Sequence, residues 1–274
     1  MSQRVPIRGL DVSKILHPED KATIEKLNKI PKFKTIVDHT IGSIMEKYVA
    51  VEYSGEGINV SSKCLQNLSE QIREACRLLD ISEVPACSVN WFYHISSFSV
   101  GEKNRRIVFP SGSIDLLAPE ELDFLIGHEL GHMKCGHKTY QMLTEAMYRP
   151  LAGSDLDIIM NLIKMPLLDW YRISDFTADR VGLLCCQDIN VALKTMIKMS
   201  GLPKKFHDQI HIDSFIQQAN DFKKNHSGVV DKIIKYFSIN AATMPWLVLR
   251  ASELLAWYQS GEYDRILSKS RSIM

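Results

Sequence analysis

The sequence predicts an α+β fold, mainly helical, with a small antiparallel-type sheet and an active-site helix at its centre. Three observations carry this. Apolar residues recur at helical spacing through both ends of the chain, a β-rich stretch occupies residues 88–109, and a helix with clear start signals opens at Pro119. Along the chain these suggest an N-terminal helical region (1–80), a catalytic core (81–202) and a C-terminal helical region (203–274), packed as one compact unit.

Taken in order, residues 19–29 have helical spacing through Ile24 and Leu27, and Pro31 separates them from a second expected helix over 33–48. Residues 49–53 and 58–60, flanking Gly55 and Gly57, read as short strands. Ser61 and Ser62 offer an N-cap for a helix whose stripe is Leu65, Leu68, Ile72, Cys76 and Leu79. The runs 88–100 and 106–109, joined by the turn at 101–104, predict a hairpin. Pro119 fits a first helical position, with Glu120 and Glu121 at the positive end of the helix dipole. A long helix is expected over 166–187, another from the cap Asp188, and further helices between Pro203 and Gly261.

Composition excludes several classes of function. Hydrophobic residues make up 45% and charged residues 24%, as in ordinary globular proteins, so no disordered or fibrous class is indicated. Thirty-three Lys and Arg against 32 Asp and Glu leave no field to attract nucleic acid or an anionic membrane. The first ten residues lack a secretory apolar core, and the most apolar segment, 156–170, is interrupted by Asp157, Lys164, Pro166 and Asp169, so no transmembrane segment is expected. Six cysteines without a C-x-x-C pair read as free thiols of a cytoplasmic protein.

Residues 128–132 read His-Glu-Leu-Gly-His, an H-E-x-x-H motif inside the helix opened by Pro119. Positions i and i+4 lie ~40° apart around a helix axis, so both imidazoles can reach one ion at ~2.0–2.1 Å. Glu129 lies between them, placed to act on water beside the metal. A catalytic zinc takes three protein ligands and leaves one position open. His137 is a weak candidate for the third, since on a continuing helix it points ~140° away from His132. The longer motif H-E-x-x-H-x-x-G-x-x-H also fails, with Cys135 and Lys138 at its Gly and last His positions. The run 170–180 instead offers Asp175 and Asp179, again i,i+4 on one helix face. One can ligate while the other orients, and Asp179 suits the role of accepting a hydrogen bond from the second ring N–H of a ligating imidazole.

At this point the sequence resembles the gluzincin-type metallopeptidases that include the heat-shock protease HtpX and the CAAX prenyl protease, in the form of a soluble, membrane-free member. Residues 121–137 (ELDFLIGHELGHMKCGH) and 171–188 (YRISDFTADRVGLLCCQD) resemble that family's two metal-binding blocks, and 245–263 resembles a third. The resemblance implies a zincin-like core with one zinc per chain held by His128, His132 and Asp175, and Asp179 oriented behind them. Asp175 stands where the family usually has Glu, one methylene longer. Ser96 and Met244 stand where the family has an Asn and a His, and Arg250 matches a family Arg, so Ser96 and Arg250 are the candidates for contacts to the substrate or transition state. Arg180, Arg172 or His211 are possible substitutes for the missing donors.

The expected activity is zinc-dependent endopeptidase chemistry on peptides or unfolded proteins, a metal-activated water attacking the scissile bond with Glu129 as general base. An alternative is a catalytically weak or inactive homologue that acts as a protein-interaction module, motivated by Ser96, Asp175 and Met244.

Overall fold

A computed structural model describes residues 4–29, 47, 51–146, 154–225 and 246–272. The expected helix over 33–48 falls almost wholly outside these residues, as does Met244. The described chain is mainly helical around one four-stranded sheet. Residues 51–55 are helical, so the strand expected over 49–53 does not form there.

The sheet has the order β1-β2-β4-β3, with β1 Gly57–Asn59, β2 Ala86–Asn90, β3 Phe98–Val100 and β4 Arg106–Pro110. The expected hairpin forms as β3 and β4, pairing Phe98 with Val108 and Val100 with Arg106 across the turn. The sheet is nevertheless mixed, because β2 runs parallel to β4, Ala86 opposite Arg106 and Asn90 opposite Pro110. Residues 91–97 leave the sheet, so the run read as one strand over 88–100 supplies two. Ile107, Val108 and Phe109 on β4 are fully buried, as an apolar run between two neighbouring strands requires. Among the described residues that leaves β3 as an edge strand.

Short helix α1 (Val12–Ile15) leads into α2 (Pro18–Leu27), and α3 (Gln66–Leu78) precedes the sheet. Leu68, Ile72, Cys76 and Leu79 are buried as their spacing requires, but Leu65 is exposed and forms a left-handed N-cap position in place of Ser61 or Ser62. Ser61 instead accepts hydrogen bonds from the amides of Lys63 and Cys64 in the preceding turn.

After α4 (Ser111–Leu116) comes the motif helix α5 (Pro119–Lys134), with Pro119 at its start and the Glu121 carboxylate accepting from the amide of Ala118 at 2.8 Å. Then follow α6 (Lys138–Ala146) and α7 (Ser154–Cys186). Pro166 does not start α7, as expected, but lies within it. A proline costs a helix one backbone hydrogen bond there, which a 33-residue helix with tertiary support can absorb. Asp188 caps α8 (Ile189–Met199), accepting from Asn190 at 2.8 Å. Helices α9 (Ile212–Asn225), α10 (Leu247–Gln259) and α11 (Glu262–Arg271) follow, the last beyond the expected limit at Gly261.

The main hydrophobic core draws on residues from Val5 to Leu267, with Phe124 and Leu125 of α5 and Val181 and Leu184 of α7 at its centre. A second cluster, with Leu27, Val100, Val108 and Trp170, joins α2, the sheet and α7. Helices α5 and α7 meet through glycine. A Cβ on Gly127 would lie 2.3 Å from Cys185 Cβ, one on Gly131 2.8 Å from Val181 Cβ, and one on Gly182 2.8 Å from the Phe124 carbonyl. Any side chain at these positions would hold the two helices apart. No helix among the described residues is long and apolar enough to cross a membrane.

Candidate active site

The close crossing of α5 and α7 brings three potential ligand atoms together. His128 Nε2 and His132 Nε2 are 3.1 Å apart, and Asp175 Oδ1 lies 3.3 Å from the His132 nitrogen and 3.9 Å from the His128 nitrogen. Four donors set tetrahedrally at ~2.0–2.1 Å from zinc stand ~3.3 Å from one another, so these separations fit a single small cation. All three residues are buried. Burial raises the Asp175 carboxyl above its ordinary range, with Arg250 and His128 opposing it, and holds the His132 imidazole well below its ordinary value, with Lys138 adding to the effect. A cation would relieve the first, and the second leaves a neutral ring available to ligate.

Behind His128, its Nδ1 lies 2.9 Å from Asp179 Oδ1. Asp179 in turn accepts from Arg250 Nε at 2.8 Å and Nη2 at 2.5 Å, a two-pronged contact with both side chains buried. Burial alone would raise the Asp179 carboxyl, but the guanidinium and the imidazole hold it at about 2. Asp179 thus stands against the ring of His128, on the side away from Nε2. Arg250 is committed to Asp179, with its Nη1 4.0 Å from Asp175 Oδ2, so it braces the acids behind the site. Arg180 donates to the carbonyls of Ile15 and Leu16 and Arg172 pairs with Asp169, so these two are engaged elsewhere.

Glu129 is 1% exposed and both of its oxygens are occupied. Ser97 Oγ donates to Oε1 at 2.8 Å, Ser99 Oγ to Oε2 at 2.5 Å, and Lys138 Nζ lies 3.6 Å from Oε2. Burial opposes the charged form of Glu129, yet Lys138, His128 and the two serines together lower its carboxyl below the ordinary range. Lys138 is itself buried and donates to Gln141 Oε1 at 2.6 Å. Ser97, Ser99, Lys138 and Gln141 were not identified from the sequence. The two serines stand two residues apart on an extended segment and therefore share a face, a period-two signal the sequence did contain. Ser96 is tied through its backbone: its amide donates to Ser113 Oγ at 2.9 Å and its carbonyl accepts from the same hydroxyl at 2.6 Å.

His137 does not join the cluster of three. Helix α5 ends at Lys134, Gly136 takes φ +71°, and the His137 amide donates to the His132 carbonyl at 3.0 Å, folding the chain back on the last turn. The projection of a continuing helix fails for this reason, and the His137 ring stands beside His132, away from the Nε2 side.

The curated protein "Plastoglobule-localized metallopeptidase 48, chloroplastic" of Arabidopsis thaliana is 29% identical over 269 residues, covering 96% of this chain and 77% of that protein. No solved structure matches the chain. The model of peptidase family M48 matches residues 63–258, well over half of the sequence and including α5, α7 and α10, and on that match the chain belongs to peptidase family M48.

Proposed function

We propose that the chain is a zinc endopeptidase in which His128, His132 and Asp175 hold one zinc and Glu129 is the general base. The observation that carries this reading is the convergence, at 3.1–3.9 Å, of two imidazole nitrogens from α5, the helix that also bears Glu129, and one carboxylate oxygen from α7. The metallopeptidase class itself follows from family membership. Zinc, when bound, supplies a Lewis acid for the scissile carbonyl and lowers the pKa of water. The residues of this chain supply the rest. Glu129 takes a proton from the attacking water on a carboxylate oxygen and returns it to the leaving amine, while Ser97 and Ser99 fix the plane of that carboxylate. Asp179, held by Arg250, keeps the His128 proton on Nδ1 and so leaves Nε2 free to ligate. Among the described residues strand β3 is a sheet edge that carries Ser99, so an extended peptide that pairs with it would lie beside Glu129, and Ser96 at its entry is the candidate substrate contact. This supports unfolded or flexible protein segments as substrates.

The six cysteines are all free thiols, which fits a reducing compartment such as the cytoplasm. The relative's printed name gives it a chloroplastic location.

One observation favours the alternative of a weak homologue that binds proteins without cutting them: both oxygens of Glu129 are already engaged, with a buried ammonium beside them. Metal analysis of the purified chain, combined with hydrolysis of a quenched-fluorescent casein, separates the two. The endopeptidase reading expects about one zinc per chain and cleavage abolished by Glu129→Gln with zinc retained. Stoichiometric zinc without cleavage supports the binding module, and cleavage that survives Glu129→Gln rejects Glu129 as the base.

A further inference from the structure

The end of α5 ties His137 to His132 twice, once through the backbone hydrogen bond that closes the helix and once through the rings, whose Nδ1 atoms are 2.9 Å apart. Two ring nitrogens at that distance share one proton between them. If His132 ligates through Nε2, its own proton stays on Nδ1 and is donated to His137 Nδ1. The proton of His137 must then sit on Nε2, and that nitrogen faces Asp20 Oδ2 at 3.1 Å, away from the ideal hydrogen-bond line. Asp20 is 1% exposed and held from its other sides: Trp170 Nε1 donates to Oδ1 at 2.7 Å and Thr177 Oγ1 to Oδ2 at 2.6 Å. A cation at one end and a fixed carboxylate at the other would thus select one tautomer for each histidine, with the Gln141 amide nitrogen as a second neighbour of His132 Nδ1 at 3.2 Å.

We propose that His137 and Asp20 are positioning residues for the metal site, a relay that fixes the ring and tautomer of His132 as Asp179 and Arg250 fix those of His128. This rests on the reading of His128, His132 and Asp175 as metal ligands. Asp20 comes from α2, before the residues 63–258 that the family model matches, so the N-terminal segment supplies part of the metal site's support. Asymmetry distinguishes the two arms. His128 is backed directly by a carboxylate, whereas His132 reaches its carboxylate through a second imidazole whose backbone is set by Gly136.

The test is zinc affinity, measured by competition with a fluorescent chelator, together with the visible spectrum of the cobalt-substituted protein. His137→Phe fills the space but cannot accept from His132, and it should weaken zinc binding by ~10–100-fold, the usual size of such an effect. His137→Gln keeps an acceptor and a donor and should recover most of that loss. Asp20→Asn should weaken binding by less, and adding it to His137→Phe should cost nothing more, since the relay is already cut. Cobalt bands should shift in His137→Phe and return towards the parent in His137→Gln. Melting of each metal-free variant separates folding from metal binding. If the parent binds no zinc, the three-ligand reading fails and the relay with it. If the parent binds zinc and His137→Phe binds equally tightly, or if the losses of Asp20→Asn and His137→Phe multiply, the relay alone is wrong. Should Asp20→Asn not fold, the Phe and Gln variants at His137 decide between them.

Discussion

Replacing Gly127 by alanine adds one methyl group where α5 and α7 cross, and the structure sets its consequence. The new Cβ would lie 2.3 Å from Cys185 Cβ, and carbon atoms settle at ~3.5–4.0 Å, so the helices must separate locally by roughly 1.2 Å or more. Overpacking of this kind costs ~1–3 kcal/mol, and alanine's better helix propensity returns ~1 kcal/mol. The metal-free protein should therefore lose up to ~2 kcal/mol, a fall of at most a few degrees in melting temperature. Metal binding should suffer more than stability, because the crossing that must open also sets the 3.3 and 3.9 Å gaps between Asp175 on α7 and the histidines on α5. We expect zinc affinity to fall by at least ~10-fold, the range seen when ligand placement is disturbed. Thermal melts without metal, chelator competition and casein hydrolysis measure the three effects. Cys185→Gly is the control background, where the atom nearest the added methyl is gone and the cost of Gly127→Ala should shrink, with the Gly182 Cα and the Val181 carbonyl remaining at 3.0 Å. An alanine variant with parental melting and parental zinc affinity would refute the claim that glycine sets the helix spacing.

Arg250→Met leaves the buried Asp179 and Asp175 without their cation and should destabilise the metal-free protein by ~3–5 kcal/mol in denaturant titration. Asp179 contributes stability above its unfolded value near 4 that is lost as pH falls towards about 2, so Asp179→Asn should flatten metal-free acid unfolding in that window; Asp179→Ala should also weaken zinc binding by ~10–100-fold. Ser97→Ala with Ser99→Ala should leave zinc content unchanged and lower kcat by ~10–100-fold through a misaligned base, whereas a rise in kcat would favour the clamped, weakly active reading. Met244→His should raise casein hydrolysis at constant zinc content, by up to ~10²-fold if it restores a transition-state donor, and no gain would remove Met244 as the reason for any deficit.

The spacing of His128, Glu129 and His132, and the i,i+4 pair Asp175 and Asp179, were legible because helical periodicity converts sequence distance directly into direction. At His137 the rule left that residue outside the cluster of three, where it stands, but through a projection that no longer applies once Gly136 ends the helix; a glycine just after the last periodic residue was the available signal. Arg250 could be matched by resemblance, but its partner could not, because only the packing of α10 shows that Asp179 takes both prongs of its guanidinium. The parallel pairing of β2 with β4 was hidden for a similar reason. Alternation fixes which residues face the core, yet parallel and antiparallel partners satisfy it equally, and the exit of residues 91–97 from the sheet decides between them. Asp20 carried no local signal at all: it is one acid in the first turn of a helix, explained there by the dipole, until the fold brings it against Trp170, Thr177 and His137.

The exchange of a glutamate for Asp175, taken alone, argues for a weakened site, since the side chain reaches less far from α7. The helix crossing argues otherwise. Gly182, Ala178 and Asp175 follow one another at i, i−4 and i−7 on one face of α7, and a Cβ on Gly131 would meet Val181 and Ala178 while one on Gly127 would meet Cys185 and Gly182. Small residues thus line the contact for two turns up to the carboxylate, and the helices approach closely enough for the shorter acid to stand 3.3 Å from His132 Nε2. The same closeness buries Asp175 and Asp179 together, which would be unfavourable for two carboxylates without the Arg250 guanidinium behind them. A short acid, glycine at the crossing and a buried arginine are therefore linked requirements, and placing glutamate at 175 without opening the crossing would overfill the space that the shorter acid occupies.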